Sequence, residues 1–188
     1  MTLDISKLQT LVAESAGELT RGLLSGKRTP TQWMREMDRT IARAHTAATI
    51  AGVSERDGFT GRLRAWAAGK VGASALPKAD RQRLEQTIKD QRPYLAKFAS
   101  DVKSGGLSEA QIAARADLYA GPVRATYSQT RWSNVNLPAH PADGSSECLM
   151  MCKCEWVLHD DGYHWELGTA EHCPTCNTRG SEWRPYKE

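Results

Sequence analysis

The position of the cysteines constrains this chain more than any other feature of its sequence. All five lie between Cys148 and Cys176, and none precedes Cys148. A disulfide-stabilised secreted domain usually carries an even number of cysteines spread along its length. The first residues, MTLDISKLQT, also lack the basic start and apolar segment of a secretory signal peptide. The cluster therefore predicts metal binding in a reducing compartment rather than disulfide formation.

The charge distribution changes at nearly the same point in the chain. Residues 1–136 contain 21 Lys and Arg against 13 Asp and Glu, a net charge of +8, whereas residues 137–188 contain 4 against 9, a net charge of −5. No apolar run approaches the roughly 18 residues that suggest a membrane span. We therefore expect a net-basic body over residues 1–136, a Cys-rich module over residues 137–188, and no association with a membrane.

The body is predicted to be helical because apolar residues recur at helical spacing in four segments. Asp4 and Thr29 are expected to cap the first two helices, and Ser108 with Gln111 is expected to form a capping box at the fourth. Such stripes are typical of faces that pack into a core. The stripe residues are Ile5, Leu8, Val12, Leu19 and Leu23; Trp33, Met37, Ile41, Ala44 and Ala48; Leu84, Ile88, Leu95 and Val102; and Ile112, Ala116, Tyr119, Val123 and Tyr127.

Several residues in the body predict where helices end or bend. Gly52 is expected to end the second helix, and Pro93 is expected to kink or split the third. The pair Gly121-Pro122 predicts a break in the fourth. A shorter helix is predicted around GRLRAWAAG, and His45, which lies among alanines, is expected at the surface or at a boundary.

The C-terminal part predicts a β-hairpin. After the connector LPAHPADGSSE, the segment CKCEWVLHDDGYHWELG alternates strictly, and DDG is a strong hairpin turn. One face of the first strand carries Cys152, Cys154, Trp156 and Leu158, and the return strand carries Tyr163, Trp165 and Leu167. The predicted fold class is mainly α, with a helical N-terminal body and a small C-terminal zinc-ribbon-like β-hairpin module.

The cysteines flank this hairpin in two half-sites. Cys173 and Cys176 form a C-x2-C pair just past its end, and Cys152 and Cys154 lie at its start. Because the strands are antiparallel, the two half-sites should meet at the base of the hairpin. A hairpin of this size is marginally stable in water, and a Zn2+ ion bound by four thiolates would stabilise it.

Which four cysteines bind the ion stays open in the sequence. Residues i and i+2 of an ideal strand are roughly 6.5 to 7 Å apart, so the pair Cys152 and Cys154 needs a bend or bulge to share one ion. Cys148 is therefore kept as a substitute ligand, and His172 ranks below all five cysteines.

Catalytic interpretations of the same residues are weaker, and we expect no enzymatic activity. A thioredoxin-type C-x-x-C pair needs a βαβ unit, which does not surround Cys173. The zinc deaminase signature ends in P-C-x-x-C, whereas this chain has C-P-x-C too soon after His164 and Glu166. A zinc hydrolase that uses His140, His159 or His164 is a further alternative.

The segments LPAHP and CKCEW resemble the P-x-H-P-x-C-x-C ending of tailed-phage minor head morphogenesis proteins, the phage Mu protein F-like group. LSEAQIAARADLYAGPVRATYSQTR is similar to the helix that precedes this ending, so the resemblance covers roughly residues 107–188. The resemblance makes Pro138, His140, Pro141, Cys152 and Cys154 motif positions. Two departures are the ten residues between Pro141 and Cys152 and the C-P-x-C pair that follows them.

The resemblance implies a non-enzymatic virion protein, a minor head or portal-proximal component that is assembled in the host cytoplasm. Its implied partners are the portal or coat protein, or further copies of itself. The alternative is a nucleic-acid-binding zinc-ribbon protein, which the net-basic body favours. However, basic residues alternate with acidic ones in that body, as on ordinary solvated helix faces, and the Cys-rich module is acidic.

The hairpin region carries more aromatic residues than a ribbon of its size needs for a core. Tyr163, Trp165 and Trp183 are therefore predicted either to form a contact surface for assembly or to be buried against the helices.

Overall fold

Helices make up most of the chain, and a small antiparallel hairpin lies near its C-terminus. The computed structural model describes residues 4–58, 65–66, 68–69, 72–169 and 171–186. The predicted fold class is confirmed. The elements are α1 (Ile5–Leu24), α2 (Pro30–Arg56), α3 (Lys78–Lys103), α4 (Glu109–Asp117), α5 (Pro122–Arg131), β1 (Glu155–His159), β2 (Gly162–Glu166) and α6 (Pro174–Glu182).

The predicted helix starts are confirmed. The Asp4 side chain accepts a hydrogen bond from the backbone N–H of Lys7, and Thr29 and Ser108 each form a complete capping box. A 3-10 turn, Leu118–Ala120, separates α4 from α5 at the predicted break. In contrast, α3 continues through Pro93, so the predicted split does not occur. The helix predicted around residues 61–69 lies mostly outside the described residues.

Helix α2 is the centre of the body, since α1, α3 and α5 all pack against it. Its N-terminal half contributes Trp33, which is fully buried and meets Phe98 of α3 edge-on with ring centroids 5.1 Å apart. Phe98 stacks in turn on Tyr119, between α4 and α5. No helix within the described part of the chain combines the length and apolarity that crossing a membrane requires.

Gly52 does not end α2, as the sequence predicted, but lies inside the helix where α5 crosses it. A Cβ atom at this position would lie 2.8 Å from the carbonyl oxygen of Tyr127 and 2.8 Å from Cβ of Thr130. The missing side chain therefore allows a close approach of two backbones. The helix continues one further turn, to Arg56.

That additional turn places Arg56 in a buried ion pair. Its guanidinium donates to both carboxylate oxygens of Asp80, at 3.1 and 2.9 Å, and to the Ser133 hydroxyl at 2.6 Å. Asp80 is 3% exposed. The bidentate contact raises the pKa of Arg56 above its ordinary value, so Arg56 stays charged, and the contact joins the C-terminal end of α2 to the N-terminal end of α3.

His45 is fully buried, which corrects the prediction of a surface or boundary position. Its Nδ1 lies 2.7 Å from the Thr126 hydroxyl of α5, and its Nε2 lies 2.5 Å from Nε2 of Gln91 on α3. Burial disfavours the charged imidazolium and lowers the pKa of His45 to about 4. The neutral ring therefore joins three helices.

This burial predicts a specific loss of stability in mild acid. The unfolded chain takes up a proton on His45 near pH 6.5, whereas the folded chain takes it up only near pH 4. Above pH 6.5 the neutral ring costs no stability, because His45 is neutral in both states. As the pH falls from 6.5 towards 4, protonation of the unfolded chain lowers the free energy of unfolding by up to roughly 3 kcal/mol. Urea unfolding of the wild type and of His45→Gln between pH 7 and pH 4.5 measures it. The difference in free energy of unfolding between the wild type and His45→Gln should become smaller as the pH falls. A difference that stays constant with pH would contradict the low pKa of His45.

Candidate metal centre

The predicted hairpin is present, with its turn at Asp160 and Asp161. Strands β1 and β2 pair antiparallel, with Trp156 opposite Trp165 and His159 opposite Gly162. Gly162 has a φ of 136°, which a residue with a side chain rarely adopts, and it follows the two-residue turn. The predicted buried face ends at Trp156, because Leu158 near the turn is 57% exposed.

The aromatic residues form the core of the module. Trp156 and Trp165 are buried and meet edge-on at 5.3 Å, and Trp183 stacks on Trp156 at 5.5 Å. The segment from Trp183 to Tyr186 lies along β2. The backbone N–H of Trp165 donates to the carbonyl of Trp183, and the backbone N–H of Tyr186 donates to the carbonyl of Tyr163. Trp165 is therefore buried in the aromatic core of the module itself, and Tyr163 and Trp183 are partly buried against the same core.

Sequence reasoning missed helix α6, which starts inside the C-P-x-C pair. Cys173 is its N-cap and accepts a hydrogen bond from the backbone N–H of Cys176 at 3.5 Å, and Pro174 occupies the first helical position. Proline directly after a capping residue is the signal that was available. The helix turns both sulfur atoms of the pair towards the base of the hairpin.

The connector brings the helical body and the cysteines together. His140 lies 3.1 Å from the Ser128 hydroxyl of α5, and the carbonyl of Ala139 accepts a hydrogen bond from Nε1 of Trp156 at 2.8 Å. Ala142, a residue in the left-handed conformation (φ 61°), is buried in the same cluster as Cys152. Residues 139–142 thus contact α5, β1 and the cysteine cluster at once.

The structure brings all five predicted cysteines into one cluster that could hold a metal ion. Their sulfur atoms form two triads in which all ligand atoms lie within 4.8 Å of one another. One triad comprises Cys148, Cys173 and Cys176, and the other comprises Cys152, Cys154 and Cys176. Cys176 therefore belongs to both. Its sulfur lies 3.7 Å from that of Cys148 and 3.7 Å from that of Cys152, while Cys148 and Cys173 are 3.0 Å apart.

Burial differs between the two triads. Cys152, Cys154 and Cys176 are almost fully buried, whereas Cys148 and Cys173 are half-buried. Cys152 and Cys154 precede the first residue of β1, so the ideal-strand separation that weighed against this pair does not apply to them. The polypeptide thus closes one side of the cluster and leaves the other near the surface.

The electrostatics of the cluster favour a bound cation. A hydrogen bond from the Cys154 thiol lowers the pKa of Cys152 to about 5. The neighbouring Cys152 sulfur and burial both raise the pKa of Cys154, and burial followed by the nearby sulfurs raises the pKa of Cys176. Repulsion between thiolates therefore keeps some of these groups protonated. A metal ion would reverse this preference, because it stabilises every thiolate that it binds.

His172, which the sequence ranked last, lies beside Cys154 of the buried triad but not within 4.8 Å of all three of its sulfurs. Its Nδ1 lies 3.7 Å from the sulfur of Cys154, and its Nε2 lies 2.8 Å from the carbonyl oxygen of Gly168. Histidines that bind metals commonly donate their second ring N–H to such an acceptor, which fixes the tautomer and the ring orientation. Ring Nδ1 of His172 is then free to bind a metal.

The three histidines of the hydrolase alternative have other partners. His159 lies 2.7 Å from a carboxylate oxygen of Glu166, and His164 lies 2.8 Å from one of Asp161. His140 contacts Ser128, as described above. None of the three is a member of either sulfur triad.

No family model, curated protein or solved structure matches this chain.

Proposed function

We propose that this protein is a non-enzymatic structural component of a bacteriophage head, a minor head or portal-proximal protein whose C-terminal module folds around structural zinc. Its partners would be the portal or coat protein, or further copies of itself. The protein would be assembled in the host cytoplasm and would remain in the virion.

The observation that carries this proposal is the junction between the two halves of the head-protein motif. Ten residues separate Pro141 from Cys152 in the sequence, yet Ala142, which follows Pro141 directly, is buried in the same cluster as Cys152. His140 contacts α5, which corresponds to the helix preceding the motif in the resembling family. The motif residues thus form one physical unit despite the insertion, which supports the resemblance to phage Mu protein F-like proteins.

Zinc is the proposed ion because thiolates and a neutral imidazole are ligands that it prefers. Cys152, Cys154 and Cys176 are buried under the hairpin and α6, so an ion between them would have little access to a substrate. Structural zinc sites are closed in this way, whereas catalytic sites keep one position open. The small aromatic core of the module is consistent with a need for such a stabilising ion.

Nucleic-acid binding is less well supported than a role in assembly. Many basic side chains of the body are paired with carboxylates, which reduces the positive charge available to phosphates. The pairs include Arg28 with Glu36, Arg92 with Asp38, Arg115 with Asp101, and Arg131 with Glu55.

The proposal is tested in a phage that carries this gene. We expect mass spectrometry of purified particles to detect the protein at low copy number, and deletion of the gene to reduce the yield of DNA-filled heads. Plasmid-borne wild type should restore that yield and Cys176→Ser should not, because the variant cannot complete its metal site. His159→Ala, a change on the exposed hairpin surface, is the matched control and should restore it.

Absence of the protein from particles, together with normal DNA-filled heads after deletion, would contradict the proposal. Binding of the purified protein to DNA that weakens steeply with salt would instead support the nucleic-acid alternative.

A further inference from the structure

The five cysteine sulfurs are arranged as two triangles that share one corner. Cys148 and Cys173 lie on one side of Cys176, and Cys152 and Cys154 lie on the other. A single ion at the centre of one triangle would leave two cysteines of the other unbound. A single four-thiolate site would require one cysteine of one triad to move within reach of all three sulfurs of the other.

We propose that the cluster holds two metal ions bridged by the thiolate of Cys176. The first ion binds Cys148, Cys173, Cys176 and the carboxylate of Glu147, and the second binds Cys152, Cys154, Cys176 and Nδ1 of His172. This inference rests on the proposed zinc-binding role of the module, and it adds the number of ions, the bridge and two ligands that are not cysteines.

The two distances at Cys176 fit two tetrahedra that meet at its sulfur, whereas the sulfurs of Cys148 and Cys173, 3.0 Å apart, would have to separate to share an ion. With Zn–S bonds of about 2.3 Å, two sulfurs of one tetrahedral site lie about 3.8 Å apart. The sulfur of Cys176 lies 3.7 Å from Cys148 in the first triad and 3.7 Å from Cys152 in the second. The sulfur of Cys176 therefore lies at the distance expected for a ligand shared by two ions, one bound to Cys148 and one bound to Cys152.

Each triad has one further donor beside it. His172 places Nδ1 at 3.7 Å from the sulfur of Cys154, while its other ring nitrogen is held by the carbonyl of Gly168. On the opposite side, Glu147 accepts the backbone N–H of Thr175 at 3.2 Å and contacts the side chain of Cys173. Each donor thus lies beside one cysteine of its triad but not within 4.8 Å of all three sulfurs, so it would have to move towards the ion to become its fourth ligand.

The test measures how many ions the full-length protein binds. Protein purified under reducing conditions, supplied with excess Zn2+ and then desalted, should contain two zinc ions per chain by elemental analysis. After exchange with 113Cd2+, NMR should show two cadmium resonances, and the β-protons of Cys176 should correlate with both. These correlations report the bridge directly, without a mutation that risks unfolding the module.

Two variants assign the ions to their ligands. Cys148→Ser changes a half-buried residue of the first triad and should lower the content from two ions to one, with the cadmium resonance of the second site retained. His172→Ala should weaken binding of the second ion at least tenfold, and His159→Ala should leave both ions bound. A content of one ion in the wild type, or the absence of a doubly correlated Cys176, would overturn the two-ion proposal only. A content of zero would also overturn the proposed zinc-binding function.

Discussion

Replacing Cys176 with Ser is expected to unfold the C-terminal module and to abolish metal binding. Cys176 is fully buried, belongs to both sulfur triads, and its N–H contacts the Cys173 cap of α6. Binding of structural zinc by zinc-finger peptides contributes about 10 to 16 kcal/mol, far more than a short hairpin contributes alone. The variant should therefore lose bound metal and the near-ultraviolet circular dichroism of buried Trp156 and Trp165.

The helical body should survive this change in large part. No cysteine precedes Cys148, and the core around Trp33 and Phe98 does not include the module. Most of the far-ultraviolet helical signal should thus remain, with a local loss at α5, since Ala125 packs against the module. A strong chelator should reproduce the result in the wild type, and Leu158→Ala on the exposed hairpin surface should not. A Cys176→Ser protein that keeps its metal and its tryptophan signal would contradict the site.

The second large effect is expected at the buried ion pair of the body. Asp80→Ala should destabilise the folded protein by about 3 kcal/mol, the low end for breaking a buried pair, because Arg56 loses its bidentate partner but keeps its contact with Asp57. Arg56 is 14% exposed and Asp80 is 3% exposed, so water compensates little for the lost contact. Equilibrium unfolding in urea, followed by far-ultraviolet circular dichroism, measures the change.

Asp38→Ala is the matched control for this prediction. Asp38 also makes a bidentate contact with an arginine, Arg92, but the Arg92 side chain is 60% exposed. Exposed pairs contribute about 0 to 1 kcal/mol, so this variant should remain close to the wild type. Equal destabilisation by the two variants would show that burial does not determine the strength of the Arg56–Asp80 pair.

Much of the local structure could be predicted because it depends on neighbouring residues. The caps at Asp4, Thr29 and Ser108 depend on side chains that reach backbone groups three residues away. The turn before Gly162 and the alternation of side chains along β1 and β2 likewise depend on residues that are close together in the sequence. Helix α6 was the exception. Its N-cap, Cys173, is part of a C-x2-C pair, which was interpreted only as a metal-binding turn and not as the start of a helix.

Errors arose where distant segments of the chain approach one another. Gly52 has the usual appearance of a helix end, and only the crossing of α5 shows that it provides space inside α2. His45 lies among alanines, which does not reveal that Gln91 and Thr126 converge on its two ring nitrogens. In both cases the environment is formed by residues of other helices.

The sequence by itself determined a helical body, a hairpin near the C-terminus, and five cysteines confined to the region around that hairpin. These features follow from periodicity, turn chemistry and residue type, which act over a few neighbouring positions. Only the tertiary structure decided that the sulfurs form two triads sharing Cys176 and that His172 lies beside Cys154. The physical reason is that these contacts join segments before β1 to segments after β2, so their distances depend on how the hairpin and α6 pack together.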